Sequence, residues 1–355
     1  MVERRILTGL TLPELTALLG SRPRALETLR WLYAQDPLQT ELPARVENVN
    51  PRAWKLLRDS CSLPVLAVVE KSASEEGTTR YVLDFAGALV ETVLIPAKGR
   101  STVCVSSQAG CTRNCGFCAT ATVGFKRNLT AAEMVAQYRV ARADAAVDAP
   151  AKNVVFMGMG EPMDNLDEVM RAVEILTQAP LPLLGAKQVT VSTSGVLPGM
   201  KRFLAESKAS LALSLNASTD EQRTALMPQN KTWPISSLME ALRDDVALNP
   251  KRVHFIEYVL FDGLNDTDED ALRLPALLRG VNARVNLIPH NPVAGNPLRP
   301  PSAERMLAFQ QRIFEAGMVC TIRWPRGRQI AAACGQLALT VSSQGNSPKS
   351  SGALS

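Results

Sequence analysis

A chain of 355 residues with 46% hydrophobic and 21% charged residues has the composition of an ordinary globular protein, long enough for roughly two domains of about 150 residues each. Fibrous and wholly disordered classes are excluded, and no apolar run reaches the roughly eighteen residues of a membrane span. A net charge of +5 tolerates a polyanionic partner without demanding one, so nucleic-acid binding has to be argued from where the arginines lie.

Residues 1–75 read as small helices forming an accessory domain. Thr11-Leu12-Pro13-Glu14 is a capping box with proline in the first turn, and Ala25 to Ala34 carries Leu26, Leu29, Leu32 and Tyr33 on one side. Arg22, Arg24, Arg30 and Lys55 suit RNA contact as well as they suit a solvated helix face. Residues 76–100 read as a β-hairpin connector, Tyr81–Asp84 and Leu89–Ile95 flanking a glycine turn. Glu91 falls in the second strand among Val90, Val93 and Leu94, where alternation of side chains places it on the solvent face.

From 101 to 339 apolar segments alternate with amphipathic ones. Strands are expected at 103–106, 153–157, 188–192, 210–215, 253–260, 284–288 and 319–323, with helices between them such as 130–145, which opens on the capping box Thr130–Glu133. This alternation predicts an α/β fold with parallel pairing, in a barrel or open sheet, and chemistry at the carboxyl ends of the strands. The repeats are too few for a full eight-fold barrel. Beyond Leu339 the Ser, Gly, Asn, Lys and Pro content predicts a disordered tail over 340–355.

Seven cysteines, clustered and without a secretory leader, point to a reducing cytoplasm and to metal or redox roles. Cys111, Cys115 and Cys118 follow the spacing C-x3-C-x2-C, three soft ligands that suit zinc or an iron–sulfur cluster. A structural zinc site would take Cys104 as its fourth thiolate; an iron–sulfur cluster with only these three would keep one iron open for a ligand. Cys61 and Cys320 sit in apolar surroundings and read as buried hydrophobes. Cys334 after three alanines would also pass for a packing residue, although Arg323, Arg326 and Arg328 nearby favour a thiolate. The two histidines, His254 and His290, are separated in sequence and read as structural.

Six stretches, in order, resemble the RlmN/Cfr family of radical S-adenosylmethionine (SAM) RNA adenine methyltransferases: Cys104–Cys111 leading into the three-cysteine motif, Gly124–Leu129, Gly158–Pro162, Ser192–Gly195, Asn286–Pro292 and Ala333–Leu337. The resemblance implies a partial, roughly six-unit (β/α) radical SAM barrel behind a small helical N-terminal domain that meets RNA. It implies a 4Fe-4S cluster on Cys111, Cys115 and Cys118, and SAM contacts from Gly160, Glu161, Ser192, Ser214, Leu215, Asn216 and Asn291. Asn216 stands where family members usually have histidine, and Arg328 and Ala331 replace acidic residues common after Arg-Gly. By the same resemblance Cys334 carries a methyl group, Cys104 is the second redox thiol, forming a disulfide with it during turnover, Glu91 accepts a proton, and two SAM are used per turnover. The implied substrates are an adenosine of the peptidyl transferase centre of 23S rRNA and, in some members, the adenosine just after the tRNA anticodon. Implied partners are an electron donor such as flavodoxin or ferredoxin and a thiol reductant, with no membrane. A Cfr-type C8 methyltransferase and a zinc-stabilised, non-catalytic RNA-binding module are the competing readings.

Overall fold

Seven apolar strands separated by six helical crossovers pair side by side in the computed structural model, which describes residues 4–47, 49–178 and 184–339. Arg100–Cys104, Ala151–Phe156, Val189–Thr193, Ser210–Ser214, His254–Leu260, Ala283–Pro289 and Val319–Ile322 lie in chain order, each parallel to the next. The connecting helices cover the sheet, and their apolar faces meet it in one core in which Phe156, Phe203, Tyr258 and Phe309 are fully buried. Burying each such side chain stabilises the fold by about 1.5–3 kcal/mol. Parallel strands joined this way send all their carboxyl ends to one rim.

The same sheet continues past Arg100–Cys104 into three antiparallel strands, Ala88–Ala97, Thr79–Phe85 and Ala67–Ala73. The segment expected to be a separate hairpin is thus part of the main sheet, and the boundary expected at 75 falls after a strand already in it. Sequence pattern concealed that strand: Ala67–Ala73 alternates between exposed and half-buried residues and includes Glu70, Lys71 and Ser72.

The N-terminal unit has its own core of Leu7, Leu15, Leu29, Leu32, Trp54 and Leu57, ending at Leu63. Helices Leu12–Leu19, Arg22–Ala34 and Pro51–Ser60 supply it, and Thr11 closes the expected capping box with Glu14. Trp31 meets Trp54 edge-on with ring centroids 4.7 Å apart. The unit docks on the outer helices of the barrel: Arg139 donates to the Leu32 carbonyl at 2.8 Å, and Arg171 donates to the Gly9 carbonyl at 2.9 Å.

The last described stretch crosses back over the barrel mouth. Arg326 donates to the Pro96 carbonyl, Ala119 N–H to the Gly335 carbonyl at 2.8 Å, Thr120 to the Leu337 carbonyl at 2.8 Å, and Leu339 N–H to Glu91 at 3.2 Å. The final strand is thereby tied to the first ones. The tail read as disordered, 340–355, lies outside the described residues. No helix among the described residues is long and apolar enough to cross a membrane.

Candidate active site

The three-cysteine loop is a closed excursion at a strand end. It leaves after Arg100–Cys104, and Gln108–Ala109 pairs antiparallel with Arg127–Asn128 to shut its base. Gly110, at φ +79°, makes this closure possible, since a Cβ there would lie 1.6 Å from the Gly124 carbonyl oxygen. Inside the loop Arg113 N–H donates to Cys111 Sγ at 3.3 Å, and Gly116 N–H donates to the Leu226 carbonyl at 2.9 Å. Arg113 pairs with Asp164, and its guanidinium lies 5.6 Å from the Trp233 ring centre. Burial pushes the Cys111 thiol up to about 11 and Cys115 up to about 12, the latter helped by its neighbours Cys118 and Cys111. Cys111 and Cys115 in this setting become thiolates only against a cationic centre.

The neighbouring strand ends complete a cleft of about 980 Å³, its open mouth included. Gly160, at φ +105°, brings its backbone against Gln108, where a Cβ would lie 2.7 Å from the Gln108 nitrogen. Glu161 accepts from Met163 N–H at 3.0 Å and from Ser194 N–H and Oγ at 2.8 and 2.6 Å. The Thr193 side chain adds a fourth hydrogen bond, and burial holds the carboxyl above its ordinary range. Ser192 and Ser214 stand Oγ to Oγ at 3.5 Å on adjacent strands. Beneath them the fully buried Arg223 donates to the carbonyls of Ser194, Ser214 and Leu215 at 2.5, 3.3 and 3.1 Å, which fixes two loops with one guanidinium. Cys111, Cys115, Cys118, Gly160, Glu161, Ser192, Ser214, Asn216, Asn291 and Cys334 all line the cleft.

Comparison with known proteins identifies this architecture. Residues 105–274 match the radical SAM superfamily. The dual-specificity RNA methyltransferase RlmN of Syntrophobacter fumaroxidans is 43% identical, covering 79% of this chain and 82% of the relative. That of Dinoroseobacter shibae is 41% identical, covering 94% and 89%. A crystal structure of a radical SAM methyltransferase from Sphaerobacter thermophilus superposes with a TM-score of 0.85 at 39% identity, covering 94% of this chain and 99% of that one. The chain belongs to the RlmN family of radical SAM RNA methyltransferases.

Membership in the RlmN family brings a 4Fe-4S cluster and SAM, and the residues present fit both. The donors are three mutually adjacent thiols, and among the described residues no three His, Cys, Asp or Glu side chains gather round a single ion-sized point. Cys104 lies apart from them, packed with Val93, Met159, Ala332 and Leu337, so the four-thiolate zinc site and the non-catalytic module built on it lose their basis.

Several residues are used differently from the sequence expectation. Asn216 has a left-handed backbone, φ 58°, which asparagine tolerates. Its Oδ1 accepts from Val259 N–H at 2.9 Å and its Nδ2 donates to Met227 Sδ at 3.3 Å, so the amide that replaces the usual histidine is spent on the fold. Leu215 is fully buried, and its main chain joins the site's walls, its carbonyl accepting from Arg223 at 3.1 Å and its N–H donating to the Glu257 carbonyl at 3.0 Å. Asn291 donates to the Cys334 carbonyl at 3.0 Å and accepts from Arg328 at 3.1 Å, tying the strand end to the C-terminal segment.

Glu91 is fully buried, not solvent-facing. The sheet is covered on both faces at this point, and alternation cannot tell a solvent face from a second interior. Its carboxylate pairs with Arg80 at 2.8 Å beneath Leu339, and burial holds its pKa above the ordinary range despite that cation. It is not among the residues lining the cleft.

The thiolate-favouring setting expected at Cys334 is also corrected. The residue as a whole is exposed, but desolvation of its thiol in the cleft, with Glu257 nearby, pushes the pKa up, and Arg323 only partly offsets this. Arg326 and Arg328 are engaged elsewhere, on Pro96 and Asn291. Cys104 is buried and its thiol is raised by burial first and by Cys334 second; it packs in one cluster with Ala332 and Leu337, which flank Cys334 in sequence. All seven cysteines are free thiols in this structure.

Sequence reading missed Glu257, His290 and Arg223. Glu257 is a buried carboxylate in the cleft wall, bonded to Asn286 at 2.8 Å. His290 lines the cleft with its ring 4.9 Å from that of Phe261, and among the described residues its buried Nε2 has no hydrogen-bond partner. Burial and Arg328 lower its pKa to about 4, so it is neutral at pH 7. His254, by contrast, is structural, 3.0 Å from Asp245.

Proposed function

We propose that this protein methylates C2 of an adenosine in 23S rRNA, at the peptidyl transferase centre, and in tRNA next to the anticodon, using Cys334 as a covalent methyl carrier and two SAM per turnover in the cytoplasm. The observation that carries this reading is the position of Cys334 on the wall of the three-cysteine cleft, with Cys104 packed in one cluster with Ala332 and Leu337 on either side of it in sequence. When bound, the cluster and SAM supply one-electron chemistry that can activate an S-methyl group toward a ring carbon too electron-poor to attack a methyl sulfonium. Cys111, Cys115 and Cys118 hold the cluster; Gly160, Glu161, Ser192, Ser214 and the main chain at Asn216 shape the SAM cradle.

Cys334 in this reading accepts the methyl group on its sulfur, having lost its proton, and later links protein to base. Glu91 takes the ring proton, for which Ala338 and Leu339 must shift off its carboxylate, and its raised pKa suits that role. Cys104 sulfur, having lost its proton, then attacks Cys334 sulfur; the Cys334 S–C bond breaks, its electron pair stays on the methylene carbon, which takes up a proton to become the methyl group, and a Cys104–Cys334 disulfide remains. A thiol reductant restores both thiols, and a flavodoxin or ferredoxin supplies the cluster electron. The exposed Arg22, Arg24 and Arg30 of the helical unit are proposed to meet RNA.

Mass spectrometry of nucleosides from RNA treated with the reconstituted enzyme tests the reading. 2-Methyladenosine is expected; 8-methyladenosine would move the protein to the Cfr-type reaction, and unmodified adenosine would contradict both.

A further inference from the structure

Between the final strand Val319–Ile322 and Cys334 runs Arg323-Trp324-Pro325-Arg326-Gly327-Arg328. From residue 316 to 339 the chain holds these three arginines and no acidic residue. Trp324 is 51% exposed. Among the described residues no ring stacks on its indole, no cation sits over it, and its N–H donates to nothing. Single exposed apolar residues are common and need no purpose. The surroundings of this one set it apart.

The segment is held firmly from both ends. Arg323 N–H donates to the Leu287 carbonyl at 2.8 Å, Arg326 reaches Pro96, and Arg328 holds Asn291 at 3.1 Å. Pro325 restricts Trp324 to extended backbone. Gly327, at φ +67°, turns the chain so that its carbonyl accepts from Ala332 N–H at 2.9 Å. The indole is therefore presented on fixed backbone, which lowers the ordering cost of binding. Its location is the rim of the cleft: Arg323 acts electrostatically on Cys334 and Glu257, and Arg328 bonds Asn291, all three of which line the cavity. The Arg323 guanidinium makes no hydrogen bond among the described residues.

A flat aromatic face beside a guanidinium that makes no hydrogen bond among the described residues is complementary to an unpaired nucleotide, whose base has a π-face and whose phosphate is anionic. We propose that Trp324 is a stacking platform for a base flanking the target adenosine, with Arg323 on the adjoining phosphate. The inference rests on the RNA methyltransferase reading and adds a positioning residue to it. Stacking an adjacent base fixes the strand while the target is extruded into the cleft.

The test compares wild type, Trp324→Ala and Trp324→Phe with the RNA fragment that wild type methylates. Base–aromatic stacking corresponds to roughly 5- to 150-fold in affinity per base. Trp324→Ala is expected to lose at least about fivefold in RNA affinity and to raise KM for RNA, with SAM affinity, iron content and thermal midpoint unchanged. Trp324→Phe, which keeps a π-face, should recover most of the loss. RNA should quench indole fluorescence more in wild type than in Trp324→Phe, and the difference reports Trp324, because Trp31, Trp54 and Trp233 are present in both. Equal RNA affinity in wild type and Trp324→Ala, or a Phe variant as weak as Ala, overturns the stacking role. A wild type that methylates no RNA would instead overturn the functional reading.

Discussion

Asn291 donates its side-chain N–H to the main-chain carbonyl of Cys334 at 3.0 Å, joining the end of one barrel strand to the residue proposed to carry the methyl group. The same side chain accepts from Arg328, so one amide sets the position of both flanks of the C-terminal turn. Asn291→Ala should leave iron and sulfide content intact while backbone hydrogen exchange across 331–339 rises. Loss of about 1–3 kcal/mol of hydrogen bonding predicts a fall in RNA methylation of roughly tenfold or more. Unchanged exchange and unchanged methylation would show that the link positions nothing.

The cysteine loop makes a second prediction. Cys115 is crowded by Cys111 and Cys118, and burial keeps its thiol protonated without a cationic partner. Cys115→Ala should reduce bound iron and acid-labile sulfide from about four each per chain to near zero while the fold persists. Full iron and sulfide in that variant, or zinc alone in the wild type, contradicts the cluster assignment.

Acid stability depends on a carboxylate far from the cysteines. Against burial, which pushes it up, hydrogen bonds from Ser218, Thr267, Gln222 and Arg273 pull Asp270 down to about 2 from 3.8. A depressed folded pKa contributes stability that is fully present above the unfolded value and lost as pH falls through the folded one. The window is therefore about pH 4 down to pH 2, and the contribution is about 2 kcal/mol. The stability gap between wild type and Asp270→Asn, followed by denaturant unfolding, should narrow across that range. A gap independent of pH would mean that the ionised form of Asp270 is not what holds Ser218, Gln222 and Arg273.

Periodicity placed the strands well. The segments read at 210–215 and 284–288 are strands Ser210–Ser214 and Ala283–Pro289, and the helix read at 130–145 is Ala131–Ala143 behind the expected Thr130 cap. These elements have one face or both in a single core, and their apolar residues are continuous or periodic. Ala67–Ala73 was not legible because its residues alternate only between exposed and half-buried. Glu91 was misplaced because alternation assumes one wet face. The cysteine motif and the Gly160 turn were legible because their spacing or glycine requirement is local. Arg223 and Glu257 gave no local signal: each is a single polar residue in an ordinary segment, and only the convergence of strand ends brings it to the site. The thiolate setting of Cys334 misled for a related reason, since arginines close in sequence point to other partners in space.

The central claim is that Cys334 carries the methyl group and Cys104 releases the product. Cys104 packs in one cluster with Ala332 and Leu337, which flank Cys334 in sequence. A merely structural Cys104 would, on replacement by alanine, lower stability or cluster content without changing which species accumulates. A resolving Cys104 predicts something specific, because methyl loading and addition to the base need only Cys334. Denaturing electrophoresis of Cys104→Ala with labelled RNA, SAM and reductant should show a covalent protein–RNA species that is absent when Cys334 is also alanine. Free, fully methylated RNA with no such species would contradict the account.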